Sequence, residues 1–461
     1  MKFITNRNII KVLLFLSITV FSNCKKNNDT PVSDSSYPQY GTPFSNVPAT
    51  QDAIIYQVNV RAFKNSKLAD VTARLDSIKA LGVNVVYLMP IYPIGVLKKS
   101  RGLGSPYSVK DYKAVNPEFG SLEDLRTLVN GAHQRNMAVM LDWVGNHTSW
   151  DNAWISNKSW YQQDASGNII YPAGTTFTDV AQLNYNNQDM RNAMIDAMKY
   201  WVFTANIDGF RCDFADNVPF DFWKQDITAL RSITTHKLLM LAEGTRSDHF
   251  NAGFNMVYAF AFYAALEGNV FGNSKPVTLL QDVNTSEYAS ALPGSQVVRY
   301  TTNNDNDLYD GSPVNLLGGK TGSMSAFLVT AYMKGVPMIY TGQEVGCAQN
   351  IDFFNQTPID WTTNPDMTAE YKKILNFRAG SDAVKNGQLS QFSSDDVVAF
   401  TKSTDTQKVL VIANLRNNAV TYTLPASLSA MSGWKNAFTG ASVTLNSQIF
   451  LQPYQHMVLT H

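Results

Sequence analysis

The chain is predicted to be an α/β protein: a (β/α)8 TIM barrel with a small lobe inserted after its third strand and a C-terminal antiparallel β-sandwich. Three observations lead there. Short apolar runs alternate with helical patterns from residue 54 to residue 341. Three acidic residues, Asp213, Glu243 and Asp305, stand at or just past the ends of such runs. After Arg378 the pattern changes to short runs of period two. In a parallel barrel the C-terminal strand ends open onto one face, so residues distant in sequence converge there.

At the N-terminus, Lys2, Arg7 and Lys11 precede the apolar run 12–21, which is too short to span a bilayer. It reads as a secretion signal, residues 1–23, that carries the protein across the inner membrane. Phe21-Ser22-Asn23-Cys24 resembles a relaxed bacterial lipoprotein box, with Cys24 as the lipidated residue and the membrane as partner. Residues 24–48 are rich in Asn, Asp, Ser, Thr and Pro, the composition of a disordered tether. Lys25 and Lys26 lean the anchored protein toward the periplasmic face rather than the cell surface.

The barrel and lobe are expected over 49–378. Eight strand-like runs fall at 54–60, 83–89, 138–144, 209–214, 238–242, 254–258, 297–302 and 337–341. Helical spacing marks 68–81, where Leu68, Val71, Leu75, Ile78 and Leu81 share one face, and also 122–134, 190–203, 222–233 and 324–333. Alternation of this length favours a barrel over a doubly wound sheet. Between 147 and 185 it lapses into a stretch holding Trp150, Trp154, Trp160, Tyr161 and Tyr171. So long an excursion with so many aromatic residues predicts a packed lobe over the strand-end face. Residues 379–461, with period-two runs at 397–402, 408–414, 420–424 and 456–460, form the terminal β domain.

Composition narrows the function. Lysine and arginine together number 37, matching 37 aspartate and glutamate, and no basic run follows the tether, so nucleic acid is excluded as a partner. Beyond Cys24 only Cys212 and Cys347 remain, which excludes a disulfide framework and a cysteine metal site. Eight Trp and 21 Tyr exceed what packing usually demands and tilt the reading toward sugar rings. Oligomeric state is not legible.

The chemistry lies in four segments. Asp142-Trp-Val-Gly-Asn146-His147 ends the third strand, and Gly209-Phe-Arg211-Cys-Asp213 forms the fourth. Glu243 ends the fifth, and Asn303-Asn304-Asp305 ends the seventh. An Arg two residues before Asp213 on a strand shares its face, and an adjacent cation favours the ionised carboxylate. Glu243 follows Leu241 and Ala242, whose partial desolvation would keep it protonated until a leaving oxygen takes the proton. Retaining hydrolysis needs two carboxyl groups about 5 to 5.5 Å apart, a separation that adjacent strands supply.

In these segments the chain resembles the α-amylase family, glycoside hydrolase family 13, from about residue 50 to residue 460, with the motifs on strands three, four, five and seven. The resemblance implies a retaining hydrolase of α-1,4-glucosidic bonds in starch-derived glucans or maltooligosaccharides. Asp213 would be the nucleophile, Glu243 the acid/base and Asp305 the stabiliser of the transition state. Arg211 would hold the nucleophile ionised, and Asp142 would be a structural member of the site. Tyr107, in Gly104-Ser-Pro-Tyr107, matches a Tyr that stacks on the sugar, and His147 matches a His that binds it. Tyr340-Thr-Gly-Gln-Glu344 resembles the closing segment of the eighth strand, with Glu344 structural.

Two departures stand out. Asn304 replaces the His of the family's Asn-His-Asp, keeping a donor for the sugar but losing the imidazole. Asn146 matches a calcium ligand, but Gln182 stands where an Asp often supplies another. Asp216-Asn217 likewise replaces a Lys-His pair. A calcium ion prefers carboxylates among its oxygens, so no cofactor is required by this reading. Two other readings fit the segments: a transglycosylase of the same family, and a glycan-binding protein that keeps the barrel without turnover.

Overall fold

The computed structural model describes residues 37–461. The signal segment, Cys24 and the first part of the tether lie outside the described residues. Eight parallel strands close a barrel: β1 (Ile55–Val58), β2 (Val85–Leu88), β3 (Ala138–Val144), β4 (Gly209–Asp213), β5 (Leu239–Ala242), β6 (Met256–Tyr258), β7 (Gln296–Arg299) and β8 (Val336–Tyr340). Each pairs with the next, and β8 returns to β1 with Ile55 opposite Met338.

The period of two along a strand divides these residues into two sets. Ile55, Val85, Tyr87, Ala138, Met140, Leu239, Leu241, Met256, Tyr258 and Met338 fill the barrel interior. Their neighbours Tyr56, Val86, Val139, Leu141, Phe210 and Met240 pack outward with the helices. Gly209 opens β4 because a Cβ there would lie 2.0 Å from the Leu239 carbonyl oxygen.

The helices follow their sequence signals. Helix Leu122–Gln134 starts at a capping box, in which Ser121 and Asp124 satisfy each other's backbone N–H groups, and buries Leu125, Leu128, Val129 and Ala132. Helix Gln188–Ala205 is capped by Asn187 and ends at Asn206 in the left-handed region. The helix expected over 68–81 is two helices, Leu68–Ala73 and Leu75–Ala80, broken at Arg74. The Arg74 guanidinium lies 3.7 Å over the Trp361 ring and 3.9 Å from Glu344, contacts with the loops after β8 that helical spacing cannot register.

The tether boundary needs correction. Residues 37–48, expected to be disordered, lie along the barrel: Tyr40 N donates to Phe203 O at 2.7 Å, and Asn206 Nδ2 donates to Thr42 O at 2.8 Å. Val47 is buried among residues of the barrel interior, so this segment has found an apolar site that its polar composition concealed.

The stretch after β3 is a packed lobe built on a ribbon of His147–Ser149 with Val180–Gln182. Trp154 packs against Tyr112 and Trp160, and Thr148 Oγ1 meets the buried Tyr161 hydroxyl at 2.8 Å. The C-terminal part holds a five-stranded sheet of β9 (Gln388–Gln391), β10 (Val397–Ser403), β11 (Lys408–Asn414), β13 (Lys435–Asn436) and β15 (His456–Thr460). A two-stranded sheet, β12 (Val420–Thr423) with β14 (Gln448–Leu451), covers one of its faces. Val398, Phe400, Val409, Val411 and Val458 on the other face join the core of the barrel helices. Among the described residues, Cys212 and Cys347 are free thiols.

Candidate active site

Inward positions at the C-terminal strand ends supply the site. On β3 the inward set 138, 140 ends with Asp142; on β4 it ends with Arg211 and Asp213; on β5 the next inward position is Glu243. Asp305 comes from the first turn of the helix Asn304–Tyr309, whose N-cap Asn303 accepts from Asp305 N at 3.0 Å and Asn306 N at 2.8 Å.

Arg211 is the hub. It is fully buried, and its Nη1 donates to Asp142 Oδ1 at 2.7 Å and Asp213 Oδ1 at 2.9 Å. Its Nη2 pairs with Glu243 Oε1. Phe214 N donates to Glu243 Oε2 at 2.8 Å. Asp142 is held from its other side by Tyr87 OH at 2.6 Å and Tyr107 OH at 3.2 Å. The guanidinium is ringed by aromatic side chains, with Tyr258 centred at 5.5 Å and Tyr87 and Tyr107 each at 5.9 Å.

Four carboxyl groups share this one cation. Burial pushes Asp213 well above the ordinary carboxylate range, the charge of Glu243 adds to this, and Arg211 opposes it. Asp305 is pushed up to about 7, first by burial and then by Glu243. Asp142 is raised by burial against the pull of Arg211 and Tyr87. Burial and the neighbouring carboxyl charges therefore work against Arg211 at each of these groups, which a lone Arg beside Asp213 in the sequence did not foretell.

Tyr107 and Asn304 form one chain. Gln57 Nε2 donates to Asn304 Oδ1 at 2.6 Å, and Asn304 Nδ2 donates to Tyr107 OH at 3.1 Å. Asn304, expected to offer its amide to the sugar, is buried with that amide engaged at both ends, and it fixes the Tyr107 hydroxyl. His147 is buried, and that burial lowers its pKa to about 4 against a hydrogen bond with the Tyr107 backbone, so its ring is neutral. Its Nδ1 lies 3.1 Å from Asn146 Nδ2.

The calcium expectation meets a different arrangement. Gln182 Nε2 donates to Asn146 O at 3.1 Å and to Asn146 Oδ1 at 3.0 Å. A donor group thus points at both oxygens that a cation would need, and these residues do not fit calcium. Among the described residues, no group of three His, Cys, Asp or Glu side chains is placed to hold a metal ion.

Gln57 on β1, Tyr87 on β2 and Tyr258 on β6 escaped the sequence reading. Parity was the available signal: each is the inward residue at the C-terminal end of its strand, as Asp142 and Asp213 are.

The comparisons with known proteins agree with this architecture. The family model for the alpha amylase catalytic domain matches residues 40–168 and 156–438. Alpha-amylase 3 of Dictyoglomus thermophilum is 24% identical, over 90% of this chain and 94% of its own. The intracellular maltogenic amylase of Bacillus subtilis is 26% identical, over 87% of this chain and 71% of its own. The crystal structure of a noncanonic maltogenic alpha-amylase from Thermotoga neapolitana superposes with a TM-score of 0.77 at 25% identity, covering 90% of this chain and 99% of that one. With the family model spanning barrel, lobe and much of the C-terminal sheets, and four carboxyl groups gathered at the barrel mouth, the chain belongs to the α-amylase family and is a glycoside hydrolase.

Proposed function

We propose that the protein is a retaining hydrolase of α-1,4-glucosidic bonds in starch-derived glucans or maltooligosaccharides. The observation that carries this reading is the Arg211 fork, which holds Asp213 on one terminal nitrogen and Glu243 on the other. Two carboxyls held by one guanidinium stand close together, which supports the retaining mechanism, whose carboxyls lie about 5 to 5.5 Å apart, over the inverting one at about 6.5 to 9.5 Å. Similarity to maltogenic amylases supports the choice of substrate.

In this mechanism Asp213 attacks the anomeric carbon as the bond to the leaving oxygen breaks, and Glu243 gives that oxygen its proton. The glycosyl ester on Asp213 is then opened by a water that Glu243 deprotonates. Asp305 binds hydroxyls of the sugar as it distorts, and Tyr107 and His147 line the same sugar. Neutral His147 both donates and accepts, which suits hydroxyl groups. The residues around Asn146 support a reading without calcium. Cys24 is proposed to anchor the protein by lipid at the cell envelope, a reading that labelling with a fatty-acid analogue tests.

Asp213→Asn should lower maltotriose hydrolysis by at least about 10³-fold while leaving the circular dichroism spectrum unchanged. NMR of the first products of the native enzyme should show the α anomer. Undiminished sugar release by the variant would sink the reading, and chromatography showing products longer than maltotriose would favour transfer over hydrolysis.

A further inference from the structure

Asp216 lies three residues beyond Asp213 and centres a hydrogen-bonded knot between the loops after β4 and β5. Its Oδ1 meets His249 Nε2 at 2.6 Å and accepts from Arg246 N at 3.1 Å. Its Oδ2 accepts from Thr245 N at 3.0 Å. Arg246 closes the knot by donating through Nη1 to Asp216 O at 2.9 Å and Val218 O at 3.0 Å. His249 is fully buried, and the loop passes so close that a Cβ on Gly244 would lie 2.3 Å from Asp216 Oδ1 and 2.7 Å from His249 Nε2. Although burial works the other way, bonds from His249, Thr245 and Arg246 bring Asp216 down to about 2, so these bonds are charge-assisted.

The two loops joined in this way carry Asp213 and Glu243. A second set of bonds runs between them: Ala215 N to Glu243 O at 3.0 Å, Glu243 N to Cys212 O at 2.9 Å, and Phe214 N to Glu243 Oε2 at 2.8 Å. That last bond requires Phe214 in the left-handed region, with φ 49°, which a bulky residue adopts only when its surroundings impose it. The knot, centred two residues on at Asp216, belongs to those surroundings.

We propose that Asp216 and His249 are positioning residues that fix the Glu243 carboxyl against Asp213, serving proton transfer at the leaving oxygen rather than substrate binding. The proposal rests on the reading of Glu243 as acid/base given above. Proton transfer needs hydrogen-bond reach, and a misplacement of about 1 Å costs on the order of 10²-fold.

Asp216→Asn, His249→Gln and Glu243→Gln should be compared on maltotriose and on α-maltosyl fluoride. With the fluoride, an Asp213 oxygen bonds to the anomeric carbon while the carbon–fluorine electron pair leaves with fluoride, so no proton donor is needed. Azide then displaces the Asp213 carboxylate without a base. For both knot variants kcat on maltotriose should fall about 10- to 100-fold with KM within about twofold. First-turnover fluoride release should stay at the native rate, and azide should restore steady turnover of the fluoride. Because the release counts correctly folded sites, it separates misplacement from misfolding. Native hydrolysis by both knot variants, beside an impaired Glu243→Gln, would overturn the positioning role alone, as would loss of fluoride release in step with hydrolysis. Full hydrolysis by Glu243→Gln would overturn the role of Glu243 and the knot's with it.

Discussion

Asp226 sits on the helix Phe220–Arg231 with no exposure to solvent, and neither of its carboxyl oxygens has a hydrogen-bond partner among the described residues. Tyr185 and Cys212 face it, and Lys199 is the cation that reaches it. Burial raises its pKa to about 8, with Lys199 opposing. The folded state therefore binds a proton that the unfolded chain, with an ordinary carboxyl, releases near pH 4. The sign follows: the contribution to stability is fully present below about pH 4, declines as pH rises, and is lost by about pH 8. Asp226→Leu, which keeps the branching and number of side-chain heavy atoms and removes the charge, should stabilise the protein at pH 8 by roughly 3–5 kcal/mol and hardly at pH 4. Urea unfolding at the two pH values checks this, and equal effects at both would refute it. Nothing in the sequence set Asp226 apart from Asp221 on the same helix, because burial of one face of the helix against β4 is a tertiary fact.

At the scale of elements, the ribbon after β3 is closed by Gln182 on Asn146, an amide where a cation is expected. Each of these neutral hydrogen bonds contributes about 1 kcal/mol net, and none depends on a dissolved ion. A chelator should leave the melting temperature unchanged, whereas Gln182→Ala should lower stability by roughly 1–3 kcal/mol by stranding Asn146 Oδ1, Asn146 O keeping its bond from Leu183 N. A chelator-induced drop in melting temperature, reversed by calcium, would disprove this. Elements with their own apolar period were legible in the sequence: β3 and β11 match their expected bounds, as does helix Leu122–Gln134. Elements defined by a partner were not. Gln-Leu-Ser-Gln in β9 has no apolar face, and β13 is a two-residue edge beside β15, so both exist only because a neighbouring strand offers its backbone. The site follows the same division. Carboxylates in motifs were found, while Gln57, Tyr87 and Tyr258 required knowing that parity sends them inward.

At the scale of the whole molecule, the C-terminal sheets are not a detachable module. Residues 37–461 form one compact unit, and one face of β10 and β11 completes the core of the barrel helices. Arg416 fastens the join. Its side chain is 6% exposed and donates through Nη1 to Val270 O at 2.5 Å, and through Nη2 to Lys275 O at 2.9 Å and Asp395 O at 3.0 Å. Its Nε pairs with Asp396 at 2.9 Å. Val270 and Lys275 belong to the segment between β6 and β7, so one side chain ties the barrel wall to the turn before β10. Neither part can unfold without exposing the apolar surface of the other, and calorimetry should show a single endotherm. Arg416→Ala removes these four bonds, although Val270 O and Asp395 O keep backbone donors from Asn273 and Val277 and Asp396 is half exposed, so it should cost roughly 1–3 kcal/mol and lower that one transition. Two resolved endotherms, with Arg416→Ala moving only one of them, would show that the sheets fold on their own.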